Sequence, residues 1–304
     1  MKEALKSIAQ RAFLAGDKVG VHVLPAHYYS PVASRRELRS SEASWRRPVD
    51  ADLFDADLDE QLAWVAGQAG PYASELPLSR LAGDAEAVGG LRYGFVEAQL
   101  LHGFLRTSRP GRVVEIGSGS STLVMSQAIE RNVADGFEPT SVVACDPYTA
   151  NRVARLPHVD ARAIGGREVD DVVAALGDGD LLFIDSTHAL RTGSELSHIY
   201  LELLPHLVPG VVVHIHDIYL PYVYSPDIYN TMFDWQETTL VAALLTGNRH
   251  LTTLACLSAL HHGRPEGLTK VFPEYRPEAL DRGVRVGARN GHFPTSLWLR
   301  VAKI

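Results

Sequence analysis

The most constraining feature of the sequence is the run at 112–122, Arg-Val-Val-Glu-Ile-Gly-Ser-Gly-Ser-Ser-Thr. An apolar segment followed by two closely spaced glycines and three hydroxyl residues predicts a buried strand, a tight turn and a helix. Gly117 and Gly119 have no Cβ, so the backbone of the turn can approach a nucleotide-like ligand closely. Glu115 disfavours a pyrophosphate at the following helix N-terminus and favours a ligand with a cationic ammonium or sulfonium group.

The composition is that of a globular protein without an affinity for polyanions. The sequence is 46% hydrophobic and 21% charged. Its 304 residues are enough for one large domain with extensions or for two small domains. The net charge of −7 gives no electrostatic basis for binding nucleic acid or an anionic membrane. We therefore expect no nucleic-acid or membrane partner. The other expected partners, a small-molecule substrate and a possible homodimer, follow from the fold class and the resemblance given below.

The sequence shows no targeting or membrane-spanning pattern. Residues 1–16 carry charges throughout and lack the apolar core of a signal peptide. No apolar run approaches the ~20 residues that cross a bilayer. Cys145 and Cys256 each lie in an apolar stretch, which favours buried thiols over a disulfide framework. These features predict a cytoplasmic protein.

Apolar runs alternate with helical patterns from residue 112 onward, which indicates βαβ units and a parallel sheet. Strands are expected at 112–116, 141–145, 160–164, 181–184, 210–216 and 251–256. Helices are expected between them at 121–132, 149–154, 168–176, 193–206 and 236–246. The run at 296–301 predicts an antiparallel last strand. The fold class is therefore α/β, a Rossmann-like, doubly wound and mostly parallel sheet with an N-terminal extension.

The segments outside this pattern predict the domain organisation. Residues 1–75 are expected to form an N-terminal helical and irregular extension that covers the active site. Residues 76–304 are expected to form the Rossmann-like domain. Within that domain the Gly- and Pro-rich stretch 262–294 predicts an inserted loop. Further helices are expected at 1–16, 58–68 and 92–107.

Polar residues follow four of the predicted strands, at the edge where a doubly wound sheet binds its ligands. The strands end in Glu115-Ile-Gly-Ser-Gly, Cys145-Asp146-Pro147-Tyr148, Asp185-Ser186-Thr187-His188 and His214-Ile215-His216-Asp217. An acidic residue at the end of the second strand commonly accepts hydrogen bonds from ribose hydroxyls. Together with the glycine turn, Asp146 predicts a nucleoside-type ligand.

Four segments in this order carry a family resemblance: Glu115-x-Gly117-x-Gly119, Asp146, Phe183-Ile184-Asp185 and Leu204-Pro-His-Leu-Val-Pro-Gly210. Over roughly residues 90–260 the chain resembles class I S-adenosylmethionine-dependent methyltransferases. The residues after strands four and five are similar to the branch that contains macrocin O-methyltransferases and cephalosporin hydroxylase-like proteins. The resemblance implies S-adenosylmethionine as cofactor and O-methylation of a natural-product-like small molecule. This chain has Ser121 where the family has a third glycine.

The resemblance also implies which residues hold the cofactor. They are Glu97, Glu115, Gly117, Ser118, Gly119, Ser121, Asp146, Pro147, Tyr148, Arg167, Glu168, Asp185 and Ser186. Asp146 would take the ribose hydroxyls, and Tyr148 would pack near the adenine. Glu97 would hold the amino group of the methionine moiety, or else it is a solvated helix charge.

Two interpretations remain open for the residues after strands four and five. The resemblance implies that Asp185, His216 and Asp217 bind a divalent metal, although relatives carry Glu where this chain has His216. Two carboxylates and one imidazole suit Mn, Fe or Zn better than Mg. In the metal-free alternative, His216 or His188 is a general base that Asp217 orients.

Aromatic residues in Pro-bounded segments predict the wall of a site for an apolar or aromatic acceptor. These substrate-binding candidates are His27, Tyr28, Tyr29, Tyr222 and Tyr224. Ordinary packing of an extension is the alternative.

Two other activities remain open. One is non-methylating S-adenosylmethionine chemistry, either intramolecular displacement or oxidation. The other is NAD-dependent oxidoreduction, which Glu115 and the missing third glycine disfavour.

Overall fold

The computed structural model of the protein describes residues 2–22, 24, 30, 32–50, 57–88, 90 and 92–303. Internal contacts divide the chain into two units. The smaller unit lies within residues 1–47 and 228–234, and the larger unit lies within residues 48–227 and 235–304. The extension predicted over 1–75 thus contributes to both units. Its role as a cover of the active site stays a prediction.

The described residues of the smaller unit include the helices α1 (Lys2–Asp17), α2 (Arg35–Ser40) and α3 (Glu42–Trp45). Ser34 caps α2, because its hydroxyl oxygen accepts a hydrogen bond from the backbone N–H of Glu37 at 3.2 Å. The Trp45 indole N–H donates to the Leu38 carbonyl at 2.9 Å. This bond ties α3 back onto α2.

The larger unit is built on a seven-stranded sheet of order β3-β2-β1-β4-β5-β9-β6. Its strands are β1 (Arg112–Ile116), β2 (Ser141–Cys145), β3 (Val159–Arg162), β4 (Leu181–Ile184), β5 (Val212–Ile215), β6 (Leu251–Cys256) and β9 (Leu297–Val301). β1 to β5 pair in parallel, and β9 runs antiparallel to both β5 and β6. The predicted α/β class, with a mostly parallel sheet and an antiparallel last strand, is confirmed.

Ten α-helices of the larger unit lie in the described part of the chain. They are α4 (Leu58–Ala69), α5 (Leu78–Ala85), α6 (Phe95–Ser108), α7 (Ser120–Ala134), α8 (Ala150–Val153), α9 (Asp170–Val173), α10 (Glu195–His198), α11 (Glu237–Leu245), α12 (Leu257–Gly263) and α13 (Pro265–Val271).

Two segments differ from the sequence prediction. The helix expected over 193–206 is α10 followed by a π-helical segment, Ile199–Leu203, and a 3₁₀ turn, Leu204–His206. Pro205 lacks an N–H and cannot continue an i→i−4 ladder, so the helix changes its winding there. The stretch 262–294, predicted as a loop, contains α13 and a hairpin of β7 (Leu280–Asp281) and β8 (Val284–Arg285).

The sheet separates two apolar cores, because successive side chains of a strand point to opposite faces. Helices α4, α6 and α7 pack on the face that contains Val113 and Phe183. Helices α9, α10 and α11 pack on the face that contains Val114 and Leu182. The alternation puts Glu115 on the first face, beneath α7.

Candidate active site

A cavity of about 230 Å³ lies at the carboxyl ends of β1, β2 and β4. It brings together five of the predicted cofactor residues: Ser118, Gly119, Ser121, Asp146 and Asp185. Among the lining residues that sequence reasoning missed are Arg92, Tyr93, Thr149 and Arg152. These residues carry no motif of their own, since they reach the cavity from the segment before α6 and from the turn and short helix after β2. The cavity occupies the predicted ligand edge of the sheet.

The glycine turn joins β1 to α7 under tight steric limits. Gly117 has a φ of 104°, and a Cβ there would overlap the carbonyl oxygen of Asp185. The Gly117 N–H donates to the Cys145 carbonyl at 2.9 Å, and the Asp185 N–H donates to the Ile116 carbonyl at 2.9 Å. The turn is thus held between the ends of β2 and β4, where only glycine fits.

Glu115 supports the turn from below and does not line the cavity. Its side chain is fully buried, and its two carboxylate oxygens accept hydrogen bonds from the hydroxyls of Ser121 and Thr122, each at 2.6 Å. Burial raises the Glu115 pKa to about 8 against the opposing effect of these hydroxyls. Ser121 and Thr122 therefore tie the first turn of α7 to β1.

Asp146 shapes the turn after β2 and also lines the cavity. Its Oδ1 accepts hydrogen bonds from the N–H groups of Tyr148 at 2.7 Å and Thr149 at 2.9 Å. Its Oδ2 accepts from the Thr149 hydroxyl at 2.5 Å and from the Ser118 hydroxyl at 3.4 Å. One carboxylate oxygen is therefore committed to the turn, while the other lies among hydroxyl groups at the cavity wall.

Several predicted cofactor residues lie away from the cavity wall. The Tyr148 side chain is 90% exposed, and Arg167 and Glu168 are also exposed. Glu168 accepts a hydrogen bond from the Gly165 N–H at 3.0 Å. Pro147 and Ser186 belong to the turns that follow β2 and β4, and neither is among the residues described as lining the cavity. Cofactor contacts from these five residues stay predictions.

Four side chains after β4 and β5 converge next to the cavity, and we call Asp185, His188, His216 and Asp217 the tip cluster. The His188 Nε2 lies 3.3 Å from Asp185 Oδ1 and 3.6 Å from Asp217 Oδ2. The His216 Nδ1 lies 3.5 Å and 3.6 Å from the same two oxygens. His188 and Asp217 have left-handed backbones, with φ of 57° and 55°, a strained conformation that concentrates at functional sites.

A second layer of polar side chains holds His188. Its Nδ1 lies 2.7 Å from Glu237 Oε2, and the Tyr200 hydroxyl donates to Glu237 Oε1 at 2.7 Å. Glu237 is only 1% exposed and begins α11, whereas Tyr200 lies in the π-helical segment. The sequence prediction missed both residues. The only signal was a glutamate at the head of an otherwise apolar helix, Glu-Thr-Thr-Leu-Val-Ala-Ala-Leu-Leu.

Opposite charges dominate the electrostatics of the tip cluster. Burial opposes the charged form of His216, but Asp217 and Asp185 outweigh it and raise its pKa to about 9. Burial is likewise outweighed at His188, where Asp185 and Glu237 raise the pKa well above the usual range. The two histidines in turn lower the pKa of Asp185 despite its burial. The carboxylates of the tip cluster therefore stabilise positive charge between them.

The cluster offers a compact set of metal-ligating atoms. Within the described residues, one ligand atom each from Asp185, His188 and His216 lies within 4.8 Å of the others. Both ring nitrogens of His216 are buried without a hydrogen-bond partner. The predicted set was Asp185, His216 and Asp217. Asp217 flanks the compact group instead, and its Oδ1 accepts from the Thr295 hydroxyl at 3.1 Å. These donors fit a divalent cation.

Glu97 approaches the site from α6. It is buried, and its Oε1 accepts a hydrogen bond from the Thr295 N–H at 2.8 Å. Burial raises the Glu97 pKa, and the charge on His216 opposes this effect. Glu97 is thus not a solvated helix charge. The described cavity wall does not include it, and its contact with the cofactor stays a prediction.

The predicted acceptor wall is described only in part. His27, Tyr28 and Tyr29 lie outside the described residues. The rings of Tyr222 and Tyr224 lie 5.6 Å apart, and the Tyr224 hydroxyl donates to the Arg282 carbonyl at 2.8 Å. These two tyrosines pack against the 262–294 insertion. Their contact with an acceptor stays a prediction.

Comparison with known proteins shows a similarity over part of the chain. Residues 114–218 match the family model described as a methyltransferase domain, a range that contains the glycine turn, Asp146 and the tip cluster. This part of the chain is therefore similar to methyltransferase domains. No protein of curated function matches the sequence significantly.

Three solved structures illustrate the similarity. The first is an rRNA methylase from Streptococcus thermophilus with 11% identity and a TM-score of 0.35; the alignment covers 67% of this chain and 96% of the methylase. The second is the plantazolicin methyltransferase BpumL in complex with SAH, with 11% identity and a TM-score of 0.37; the alignment covers 88% of this chain and 99% of BpumL. The third is a SAM-dependent methyltransferase from Anabaena variabilis with 12% identity and a TM-score of 0.31; the alignment covers 86% of this chain and 98% of that protein. Scores below 0.5 are too low to transfer an acceptor or a mechanism.

Across the described residues, no helix combines the length and the apolar character that crossing a lipid bilayer requires.

Proposed function

We propose that this protein transfers the methyl group of S-adenosylmethionine to a hydroxyl group of a small, natural-product-like molecule. The position of Asp185 carries the proposal. Asp185 lines the cavity together with Gly119 and Asp146, and it also belongs to the tip cluster. A methyl donor in the cavity would therefore lie beside buried groups that exchange protons.

The residues of the cavity suit an adenosyl donor. An acidic side chain at the end of β2 is well placed to accept hydrogen bonds from ribose hydroxyls, and Asp146 has that position. Ser118 and Gly119 precede α7 and would flank the methionine portion. Glu115 contributes indirectly, since its carboxylate holds the first turn of α7 in place.

The reaction needs alignment and one proton acceptor. The acceptor oxygen attacks the methyl carbon, the carbon–sulfur bond breaks, and its electron pair stays on sulfur as S-adenosylhomocysteine forms. The methyl group is already activated, so the protein mainly aligns the reactants and excludes water. The hydroxyl proton would pass to the neutral form of His216, which Asp217 flanks, with neutral His188 as the alternative acceptor. Because the His216 pKa is raised to about 9, the neutral form becomes more abundant as the pH rises.

A divalent metal is the alternative to this general base. Asp185, His216 and Asp217 would hold it, and His216 would then be a ligand instead of a proton acceptor. When bound there, a divalent ion lowers the pKa of a coordinated hydroxyl. The unpartnered ring nitrogens of His216 support this alternative.

A hydroxyl on a small molecule is the acceptor that the charges and motifs favour. The net charge of −7 disfavours RNA, and a hydroxyl acceptor gives the tip cluster a proton to remove. The similarity of the tips of β4 and β5 to macrocin O-methyltransferases supports the same choice. Tyr222 and Tyr224 are proposed to form part of the acceptor wall.

Product analysis tests the proposal. The protein is incubated with S-adenosylmethionine and a panel of hydroxyl- and amine-bearing small molecules, and the adenosyl product is identified by mass spectrometry. Acceptor-dependent formation of S-adenosylhomocysteine with a methylated hydroxyl supports the proposal. Methylthioadenosine would show that another carbon of the cofactor is attacked, and an oxidised acceptor would show the oxidative alternative.

A further inference from the structure

We infer that Asp185, His188 and His216 form a binding site for a first-row transition-metal ion, and that Glu237 and Tyr200 position His188 as one of its ligands. The inference goes beyond methyl transfer, because metal affinity is measured without an acceptor or a methyl donor. It also names a ligand set and a metal class that the resemblance does not supply.

His216 carries the first argument. Its side chain is 6% exposed, and neither ring nitrogen has a hydrogen-bond partner. Burying an imidazole with two unsatisfied nitrogens destabilises the folded state unless another group binds those nitrogens. Its Nδ1 faces Asp185 Oδ1 at 3.5 Å, which is too long for a hydrogen bond but suits two ligands that flank one cation.

The orientation of His188 carries the second argument. Metal-binding histidines usually donate their second ring N–H to a carboxylate, which fixes the tautomer and the ring. The Nδ1 of His188 makes such a contact with Glu237 at 2.7 Å, and Tyr200 fixes the other Glu237 oxygen. All three side chains are buried. The Nε2 of His188 therefore lies near Asp185 and His216, where a metal that displaces its proton would be bound.

The ligand chemistry selects the metal class. Mg²⁺ and Ca²⁺ prefer oxygen ligands, whereas imidazoles suit Zn²⁺, Fe²⁺, Co²⁺ and related ions. Two imidazoles and one carboxylate are a ligand set that suits these ions. Asp217 adds a second negative charge, since its Oδ2 lies 3.6 Å from both imidazoles. Three protein ligands leave coordination positions for water or a substrate oxygen.

Metal titration with Co²⁺ as the probe tests the inference. The untagged full-length protein is stripped with a chelator and titrated with Co²⁺, which reports its ligands through visible absorption, and with Mg²⁺ as competitor. We expect one equivalent of Co²⁺ with imidazole ligands, and no displacement by a large excess of Mg²⁺. Zn²⁺ is expected to displace Co²⁺, in keeping with the usual affinity order.

Matched variants separate ligands from positioning residues. His188→Ala and His216→Ala are expected to abolish stoichiometric Co²⁺ binding. Glu237→Gln is expected to weaken Co²⁺ binding by about 10- to 100-fold, as loss of an outer carboxylate does elsewhere. His198→Ala is the control, because His198 lies 3.1 Å from Asp170, away from the cluster. Circular dichroism of each variant verifies that it is folded.

Three outcomes would overturn the inference: absence of stoichiometric Co²⁺ binding, binding that survives both histidine substitutions, or equal competition by Mg²⁺. In the first case the cluster is a metal-free ion-pair network. S-adenosylmethionine affinity, measured by calorimetry on the same preparations, keeps the two proposals apart. A protein that binds S-adenosylmethionine but not Co²⁺ refutes only the metal site. One that binds Co²⁺ but not S-adenosylmethionine refutes only the proposed methyl transfer.

Discussion

Gly117 and Asp185 are in such close contact that a Cβ on Gly117 would overlap the Asp185 carbonyl oxygen. This contact joins the glycine turn after β1 to the residue that starts the tip cluster after β4. The cavity and the cluster are thereby held side by side by the backbone itself. The arrangement depends on a glycine with φ of 104°.

Gly117→Ala is expected to destabilise the fold by about 1–3 kcal/mol or more, because the methyl group clashes with backbone and the φ is strained. Gly119→Ala is the matched control. Its φ of 162° is extended, and a Cβ there meets nothing within 4 Å. Urea denaturation of both variants measures the difference. Equal stabilities would contradict the steric role of Gly117.

Asp146→Asn is expected to weaken S-adenosylmethionine binding by about 1–3 kcal/mol, because a charged hydrogen bond to the ribose is lost. The substitution keeps an Oδ1 that accepts from the N–H groups of Tyr148 and Thr149, so the turn is preserved. Calorimetry measures the affinity. Asp160→Asn, at an exposed ion pair with Arg162, is the control. An unchanged affinity in Asp146→Asn would remove Asp146 from the cofactor site.

Asp217→Asn is expected to reduce kcat by about 10²- to 10⁴-fold, as loss of an acid–base group does, with little change in cofactor affinity. The physical reason is that Asp217 flanks both histidines of the tip cluster but is not described among the residues lining the cavity. Steady-state kinetics and calorimetry on one preparation measure both quantities. Asp178→Asn, at an exposed carboxylate, is the control. A parallel loss of affinity would make Asp217 a cofactor ligand.

Acid is expected to destabilise the fold through His102. Burial lowers its pKa to about 4, although Glu75 opposes this effect, while the unfolded chain titrates near 6.5. Between these values the unfolded state binds more protons, so stability is lost as the pH falls from 6.5 toward 4. The contribution is about 2 kcal/mol by pH 5.

Urea denaturation at pH 7.5 and pH 5 checks this expectation. His102→Gln is expected to lose less stability between the two pH values than the unsubstituted protein does. His206→Gln, at an exposed histidine, is expected to behave like the unsubstituted protein. If His102→Gln shows the same pH difference as the control, another group is responsible for the acid sensitivity.

The positions of the candidate site residues were largely predictable, because the carboxyl ends of parallel strands meet at one sheet edge. Asp146 and Asp185 were identified from their places after apolar runs, and both line the cavity. His188, His216 and Asp217 were identified in the same way, and they do converge. These predictions used only the positions of the strand ends and required no knowledge of individual side-chain contacts.

The role of Glu115 illustrates what position alone does not reveal. The sequence favoured a carboxylate facing a cationic ligand, whereas the side chain is buried and engaged by Ser121 and Thr122. Period-two alternation determines which face of the sheet a strand residue occupies. It does not determine whether helix hydroxyls or a ligand will satisfy that residue.

The amino-acid pattern by itself determined the α/β class, the order of elements around the glycine turn and the polar ends of β1, β2, β4 and β5. Local apolar periodicity and backbone constraints are sufficient for this, since each acts within a few residues. Only the tertiary structure decided that His188 joins Asp185 and His216, and that Glu237 and Tyr200 hold it. Those contacts join segments far apart in the chain, and burial and hydrogen-bond geometry select them only after the helices have packed on the sheet.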